Sequence, residues 1–372
     1  MADLIIADPV PDDVRATLAA HFSLFSLRAA GMDARELPER ARSSRFILSG
    51  SDSQGNLTID SALIEQLPRL ELIANFGVGY DRIDTTAAKA RGVVVTNTPS
   101  AHDDEVADFA VGLLIATLRE IPQADAYVRA GKWLEGPYPL SRGTLRGRKL
   151  GIVGLGSIGS AFALRAASFG VSIAYHNRKS RPDVHYDYYG SIEELSEAVD
   201  TMVVTVPGGD STRHLINDAT LQRLGPSGVL INLSRGSVVD ERALITALSE
   251  RRILAAGLDV YSSEPRVAPE LMTLRNVVLQ PHIASASVHT RAAMWRIAVD
   301  NLLAWRSGRG PISPVPETPW PPRQFTTCNP ASASTEEIDH ERHTSAEYCK
   351  RPDRPAVRLD REEARERSAS TS

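Results

Sequence analysis

The sequence predicts an α/β protein made of two doubly wound parallel sheets, each in its own domain. Short apolar runs alternate with helix-length segments along most of the chain, which is typical of parallel strands joined by crossover helices. The alternation occurs in two series, separated by one long helical segment. The chain also has 372 residues, well above the roughly 150 residues of an average domain, so two domains are expected.

The first series begins near the amino terminus. Its apolar runs at 4–7, 45–48, 71–75 and 92–96 are interpreted as strands, with helices at 60–67 and 85–90. The segment 103–120 predicts one long helix, because acidic residues that suit the positive end of a helix precede apolar residues at helical spacing. This helix is expected to link the two domains.

The second series contains six predicted strands, at 149–153, 171–175, 201–206, 229–233, 254–258 and 277–279. Six strands with intervening helices indicate a doubly wound sheet. A helix predicted at 288–306 would return the chain to the first domain. Beyond it the composition turns to proline and interspersed charge, which predicts a disordered tail at 317–372.

The composition argues against several classes of protein. Lys and Arg total 42 against 46 Asp and Glu, a net charge of −4, so the positive field of a nucleic-acid-binding protein is lacking. No apolar run approaches the roughly 20 residues that span a bilayer, and the acidic start is unlike a signal peptide. We therefore expect a cytoplasmic protein without a membrane partner. The only cysteines, Cys328 and Cys349, leave the main body without a disulfide framework or thiolate metal site.

A glycine-rich motif follows the first strand of the second series. Residues 154–159 read G-L-G-S-I-G and open a predicted helix. Gly154 permits the tight turn, Gly156 lets the backbone approach a pyrophosphate, and Gly159 lets the helix lie close to the sheet. The helix amino terminus offers free N–H groups to the anion. We therefore predict a dinucleotide site formed by these glycines and the residues between them, Leu155, Ser157 and Ile158.

The residues after the next strand discriminate between NAD and NADP. An NAD site places an acidic residue there, about 20 residues beyond the glycines, on the ribose hydroxyls. This chain instead has Asn177, Arg178 and Lys179, and the two cations would attract a 2′-phosphate. We predict NADP(H) rather than NAD(H). A solvated turn without this role is the alternative.

Three ionisable residues follow three consecutive predicted strands. Arg235 follows 229–233, Glu264 follows 254–258 and His282 follows 277–279. The carboxyl ends of the strands border the ligand crevice of a doubly wound sheet. Hydride transfer to a carbonyl needs a proton donor at the new hydroxyl and a cation for an anionic substrate. Singly, each residue also fits a surface or structural role; together they form a candidate catalytic site.

The segments around these residues read N-L-S-R-G-S-V-V-D at 232–240, G-L-D-V-Y-S-S-E-P at 257–265 and Q-P-H-I-A-S at 280–285. With N-F-G-V-G-Y-D at 75–81 and V-T-N-T-P at 95–99, they closely resemble the D-isomer-specific 2-hydroxyacid dehydrogenases. Within that family, the sequence is most similar to the glyoxylate/hydroxypyruvate and hydroxyphenylpyruvate reductase branch. The resemblance covers about residues 4–312.

The resemblance implies a Rossmann nucleotide domain at 99–283, inserted in a flavodoxin-like substrate domain at 1–98 and 284–316. The active site would lie in the cleft between them and act on a small 2-keto acid. His282 would be the general acid in reduction, with Glu264 orienting its ring and favouring the imidazolium. Arg235 would hold the substrate carboxylate and keto oxygen.

Further binding residues follow from the same resemblance. The backbone around Val78 and Gly79 would bind the substrate carboxylate, with Ser285 beside the site. The cofactor site is expected to include five more residues, Val206, Pro207, Thr212, Ser234 and Asp259. The family is typically dimeric through its nucleotide domains, so a homodimer is expected.

Several alternatives remain open. An NAD-dependent relative acting on phosphoglycerate or lactate is one, and a nucleotide-sensing transcriptional corepressor is another. Trp133 and Tyr138 either reach toward a neighbouring active site, as in the family, or lie at a dimer contact. A metal at 102–105 is not expected, because acidic residues are common at helix starts. The choice between a small acid and an aryl-pyruvate depends on loops such as 49–56.

Overall fold

The computed structural model describes residues 2–27, 37–50 and 57–321. The first sheet has five parallel strands, β1 (Leu4–Ile6), β2 (Leu24–Ser26), β3 (Phe46–Ser49), β4 (Leu72–Asn75) and β5 (Val94–Thr96). Their spatial order, β2-β1-β3-β4-β5, is that of a flavodoxin-like sheet. The helices of this part are α1 (Asp12–Ala19), α2 (Glu39–Arg42), α3 (Ser61–Glu65) and α4 (Thr85–Ala90).

Two consecutive helices, α5 (Asp103–Arg119) and α6 (Ile121–Arg129), lead into the second domain. Its sheet has seven parallel strands, β6 (Lys149–Val153), β7 (Ser172–His176), β8 (Asp187–Tyr189), β9 (Thr201–Val204), β10 (Val229–Asn232), β11 (Ala255–Leu258) and β12 (Val277–Leu279). The helices between them are α7 (Ser157–Ala167), α8 (Ile192–Ala198), α9 (Asp218–Leu224), α10 (Glu241–Ser249) and α11 (Pro269–Thr273).

The strand order of the second sheet is β12-β11-β10-β9-β6-β7-β8. Counted from β6, this is the Rossmann order 3-2-1-4-5-6 with one strand added at the far edge. The order reverses between β6 and β9, where a ligand crevice is expected. Most strands are buried along their whole length, which explains why they appear in the sequence as continuous apolar runs.

The last helix, α12 (Val288–Arg306), returns to the first domain as the sequence predicts. Its Trp295 stacks on Phe76, which follows β4, with ring centroids 3.9 Å apart. The inserted arrangement of the two domains is therefore confirmed. No helix in the described part of the chain is long and apolar enough to cross a bilayer.

The structure adds two strands that the sequence pattern missed. β2 and β8 have only three residues each, and both lie at sheet edges. The β8 segment, Asp-Tyr-Tyr, is exposed or half-buried throughout. Neither segment shows the buried apolar run by which the other strands were recognised.

The predicted tail begins too early at residue 317. Thr318 is buried, and its hydroxyl accepts a hydrogen bond from the N–H of Val95 at 2.8 Å. Trp320 packs on Trp305, with ring centroids 4.7 Å apart. Residues 317–321 therefore belong to the first domain. The rest of the predicted tail, both cysteines and residues 51–56 of the expected pocket wall lie outside the described residues.

Candidate active site

The glycine motif lies at the switch point between β6 and β9. Gly154 has a left-handed φ of 98°, and a Cβ on it would lie 2.7 Å from Cγ1 of Val206. A Cβ on Gly159 would lie 2.3 Å from the carbonyl oxygen of Gly154, so α7 can approach the sheet only without a side chain there. A Cβ on Gly156 would meet nothing within 4 Å. The surroundings of each of the three glycines match the role predicted for it in a dinucleotide-binding turn.

The amino terminus of α7 is open to an anion. Gly156 is its N-cap residue, and no side chain caps the helix. Ser157 is exposed, Ile158 is half-buried and Leu155 is buried. The N–H of Leu155 donates to Oδ1 of Asn177 at 2.7 Å. The start of α7 fits a pyrophosphate, because its N–H groups have no side-chain cap and nothing crowds Gly156.

The segment after β7 is basic. Arg178 and Lys179 are both exposed. Arg181, which sequence reasoning missed, donates from Nη1 to the carbonyl of Leu155 at 2.9 Å and to Oγ of Ser160 at 2.8 Å. Arg181 also pairs with the neighbouring Asp183. The basic segment is thereby tied directly to the glycine turn.

A cavity of about 330 Å³ opens where the carboxyl ends of the two sheets face each other. The first domain contributes the ends of β3 and β4 and the segment 79–83. The second domain contributes the three predicted catalytic residues, Arg235, Glu264 and His282. The structure thus brings together side chains that three separate strand ends supply.

His282 and Glu264 form a hydrogen-bonded pair in this cavity. Nδ1 of His282 lies 2.9 Å from Oε2 of Glu264, and the other carboxylate oxygen accepts the Tyr261 N–H at 3.0 Å. Burial raises the pKa of Glu264, but the hydrogen bond and positive charge of His282 outweigh burial, so the pKa lies below its ordinary value. Glu264 is therefore an ionised carboxylate that fixes the ring of His282.

Asp259 holds the backbone next to His282. Its two carboxylate oxygens accept the N–H groups of Ile283 at 2.8 Å and Ala284 at 2.9 Å. The side chain is buried, and burial raises its pKa. His282 itself has a left-handed φ of 56°, a conformation that costs energy in a non-glycine residue and that surrounding contacts must maintain. Asp259, expected at the cofactor, thus fixes the backbone directly after His282.

Arg235 connects the two domains. Its Nε donates to Oδ1 of Asp81 at 3.1 Å, and Nη1 donates to the carbonyl of Ser234 at 2.8 Å. A Cβ on Gly79 would lie 1.6 Å from Nη2, and one on Gly208 would lie 2.7 Å from Cγ. The guanidinium is therefore packed between backbone segments of both domains.

The loop after β9 links the glycine turn to Arg235. Val206 contacts the turn and Gly208 contacts the arginine. Pro207 is exposed, and its carbonyl accepts the Thr212 hydroxyl at 2.8 Å. Ser234, another predicted cofactor residue, is buried with its hydroxyl bonded to Oδ1 of Asn232 at 2.9 Å.

The predicted substrate residues of the first domain lie on one polar turn. Asn75 donates to the carbonyl of Gly79 at 3.0 Å, and Asn97 donates to that of Val78 at 3.0 Å. Two asparagines at adjacent strand ends therefore fix the carbonyl groups of this turn. Ser285 is half-buried, three residues after His282.

Asp104 and Glu105 at the start of α5, and Asp108 one turn later, have protein partners. Asp104 and Asp108 both pair with Arg165, and Glu105 accepts a hydrogen bond from Thr290 at 3.2 Å. Within the described ranges, no group of three or more histidine, cysteine or acidic side chains is arranged to hold a metal ion.

Comparisons with known proteins decide the family. Residues 111–284 match the D-isomer specific 2-hydroxyacid dehydrogenase, NAD binding domain. Over 75% of its length, the chain is 44% identical to a glyoxylate/hydroxypyruvate reductase A of Arabidopsis thaliana, covering 88% of that protein. The chain belongs to the D-isomer-specific 2-hydroxyacid dehydrogenase family.

Two further relatives support this membership. The hydroxyphenylpyruvate reductase of Plectranthus scutellarioides is 42% identical over 82% of this chain and 96% of its own length. A crystal structure of an NADPH-dependent glyoxylate/hydroxypyruvate reductase from Sinorhizobium meliloti, in complex with NADP and malonate, is 46% identical. It superposes with a TM-score of 0.81, over 85% of this chain and 97% of that one.

As a member of this dehydrogenase family, the chain has the groups that carbonyl reduction requires. A histidine beside an ionised carboxylate can donate a proton. A guanidinium in the same cavity can bind a carboxylate through two parallel hydrogen bonds. Asp81 and Arg181 were not among the predicted site residues, although Asp81 ends the 75–81 motif and Arg181 follows Lys179 by two residues.

Proposed function

We propose that this chain catalyses the NADPH-dependent reduction of a 2-keto acid to the D-2-hydroxy acid. The observation that supports this most directly is the convergence of the His282–Glu264 pair and Arg235 on one cavity between the domains. The loop that carries Val206 and Gly208 places this cavity next to the glycine turn. A nucleotide on that turn and a keto acid on Arg235 would therefore be neighbours.

The proposed reaction divides into a hydride transfer and a proton transfer. Bound NADPH supplies the hydride, which adds to the keto carbon, and the carbonyl π electrons move to the oxygen. His282 donates its proton to that oxygen, and Glu264 stabilises the imidazolium before the transfer. Arg235 and the Val78–Gly79 backbone hold the substrate carboxylate. The products are the hydroxy acid and NADP⁺, and His282 is reprotonated from solvent.

The preference for NADPH is supported by the basic segment after β7. Arg178 and Lys179 are exposed beside the glycine turn, and Asn177 occupies the position where an NAD site has a carboxylate. The S. meliloti relative is named NADPH-dependent and was crystallised with NADP. The substrates named for the relatives, glyoxylate, hydroxypyruvate and hydroxyphenylpyruvate, are the first candidates for this chain.

A spectrophotometric assay tests the proposal. The purified protein is mixed with NADPH and with glyoxylate, hydroxypyruvate or 4-hydroxyphenylpyruvate, and the loss of NADPH absorbance is followed. Turnover that depends on the keto acid is expected, with a much higher KM for NADH than for NADPH. Tight NADPH binding without turnover would instead support a nucleotide sensor, and a preference for NADH would support the NAD-dependent alternative.

We also propose that two copies associate through the exposed apolar segment 121–140. It includes α6, which has no buried residue, and five exposed large apolar side chains, Ile121, Val128, Trp133, Leu134 and Leu140. Exposed apolar side chains at this density are typical of an interface. Light scattering should report a dimer, and replacing Leu134 and Leu140 by glutamate should give a monomer. A wild-type monomer would contradict the proposal.

A further inference from the structure

The cavity has more positive charge than the catalytic set explains. Its two acidic residues, Asp81 and Glu264, each already have a partner in the wall, Arg235 at 3.1 Å and His282 at 2.9 Å. Two further arginines, Arg82 and Arg266, also line the cavity, and Arg82 already has an interaction partner. Among the residues that the structure describes, no carboxylate forms an ion pair with the Arg266 guanidinium.

Local structure holds Arg266 at the cavity. The N–H of Arg266 donates to the carbonyl of Ser263 at 2.8 Å, which closes a tight turn directly after Glu264. Glu264 is in turn fixed by the Tyr261 N–H and by His282. The turn that orients the catalytic pair therefore also directs an exposed arginine to the same opening.

The cavity is larger and more polar than a two-carbon substrate needs. Its volume of about 330 Å³ exceeds the requirement of glyoxylate, which has five non-hydrogen atoms. Beyond Arg235, the residues that line it include Ser237, Ser263 and Arg266. An extended substrate would thus meet hydrogen-bond donors and positive charge at this part of the wall.

We infer that the preferred substrate is a 2-keto acid with a second carboxylate at its far end, and that Arg266 binds this carboxylate. The inference rests on the proposed reductase function and adds the substrate class to it. Arg235 takes the carboxylate next to the keto group, and Arg266 takes the second one, because a planar guanidinium matches a carboxylate through paired hydrogen bonds. Removing Arg266 should therefore weaken binding of a dicarboxylate specifically.

A pair of substrates with the same carbon chain separates charge from length. 2-Oxoglutarate and its 5-methyl ester differ in whether the far end is a charged carboxylate or a neutral ester. We expect kcat/KM to be about tenfold or more higher for 2-oxoglutarate, since charge-assisted hydrogen bonds are about twice as strong as neutral ones. Arg266→Ala should abolish this preference, chiefly by raising KM for 2-oxoglutarate. Arg242→Ala, an exposed arginine on α10 that does not line the cavity, is the matched control.

Activity with glyoxylate distinguishes failure of the proposed reductase function from failure of the inference about the second carboxylate. If no 2-keto acid is reduced, the proposed function itself fails and the inference with it. If glyoxylate is reduced but 2-oxoglutarate has no advantage over its 5-methyl ester, only the inference is wrong. Equal losses for glyoxylate and 2-oxoglutarate in Arg266→Ala would also overturn it, because they would indicate that Arg266 acts on the fold of the turn.

Discussion

The Arg235 guanidinium tolerates only a hydrogen atom at position 79. A Cβ on Gly79 would lie 1.6 Å from Nη2 and 2.7 Å from Cζ of Arg235. Gly79→Ala should displace the guanidinium and reduce kcat/KM for glyoxylate about 100-fold, the cost of misplacing a binding group by roughly 1 Å. The KM for NADPH should not change. Steady-state kinetics with each substrate varied in turn measure both effects.

The control for this substitution is Gly112→Ala. A Cβ on Gly112 meets nothing within 4 Å, and the residue lies within α5. This variant should retain wild-type kinetics and gain about 0.5–1 kcal/mol of stability, because alanine favours a helix interior over glycine. Wild-type kcat/KM in Gly79→Ala would show that the position of Arg235 is unimportant.

The lowered pKa of Glu264 predicts a pH dependence. Its carboxylate stays ionised across the neutral range and loses its charge only below the ordinary carboxyl range. It therefore stays charged beside the His282 ring across this range. Reduction should slow as the pH falls through the lowered pKa of Glu264, because the protonated carboxyl no longer holds the ring as a charged acceptor. In Glu264→Gln this acid-side decline should be absent, because an amide does not titrate there.

Profiles of kcat against pH for the wild type and Glu264→Gln measure this difference in pH dependence. The KM for NADPH serves as the internal control, because Glu264 lines the substrate cavity. Superimposable profiles for the two proteins would contradict the role given to Glu264.

Residue identity was easier to predict than residue pairing. Arg235, Glu264 and His282 could be selected from the sequence because each lies within six residues of the end of a recognisable strand. The contact between Asp81 and Arg235 spans 154 positions, and no local pattern encodes it. Arg181 also escaped prediction, because a basic turn does not reveal which side chain bends back to the glycine loop.

At the scale of elements, we propose that the segment after β7 determines whether the site prefers NADPH or NADH. Replacing both Arg178 and Lys179 by alanine should raise the KM for NADPH about 10- to 100-fold, as expected for lost charge-assisted hydrogen bonds to phosphate. The KM for NADH should hardly change, because NADH has no 2′-phosphate. Lys89→Ala, an exposed lysine in α4, is the control. Parallel changes for both cofactors would indicate a general loss of the nucleotide site.

The segment 317–321 has a structural role that its composition conceals. Thr318→Val leaves the buried N–H of Val95 without its acceptor, which should lower the free energy of unfolding by about 1–3 kcal/mol. Urea denaturation measures the change. Thr246→Val, at an exposed position of α10, should stay within about 0.5 kcal/mol of the wild type. A stable Thr318→Val would show that this contact is dispensable.

Strands with a buried apolar run were predictable, including the edge strands β5 and β12, and the two edge strands without such a run were not. The strands of both sheets that lie between neighbours were located to within two residues. β2 and β8 have one neighbour each and three residues, so pairing with an adjacent strand, rather than their own composition, defines them. Likewise, Thr318 is ordered by a contact with β5 that is more than 200 positions away.

At the scale of the whole molecule, the site exists because two parallel sheets present their carboxyl ends to one cleft. The second sheet supplies His282 and Arg235 to the cavity, and the first supplies Gly79 and Asp81. α12 returns the chain to the first domain and stacks Trp295 on Phe76, three residues before Gly79. The order of strands and the crossing of the chain thus determine which side chains meet.

The claim that His282 is the proton donor is tested most directly by turnover of His282→Ala with NADPH and a keto acid, with NADPH binding measured in parallel by fluorescence. The account predicts that kcat falls about 10²- to 10⁴-fold, the usual contribution of general acid catalysis, while the Kd for NADPH stays at the wild-type value. Undiminished turnover in His282→Ala would contradict it.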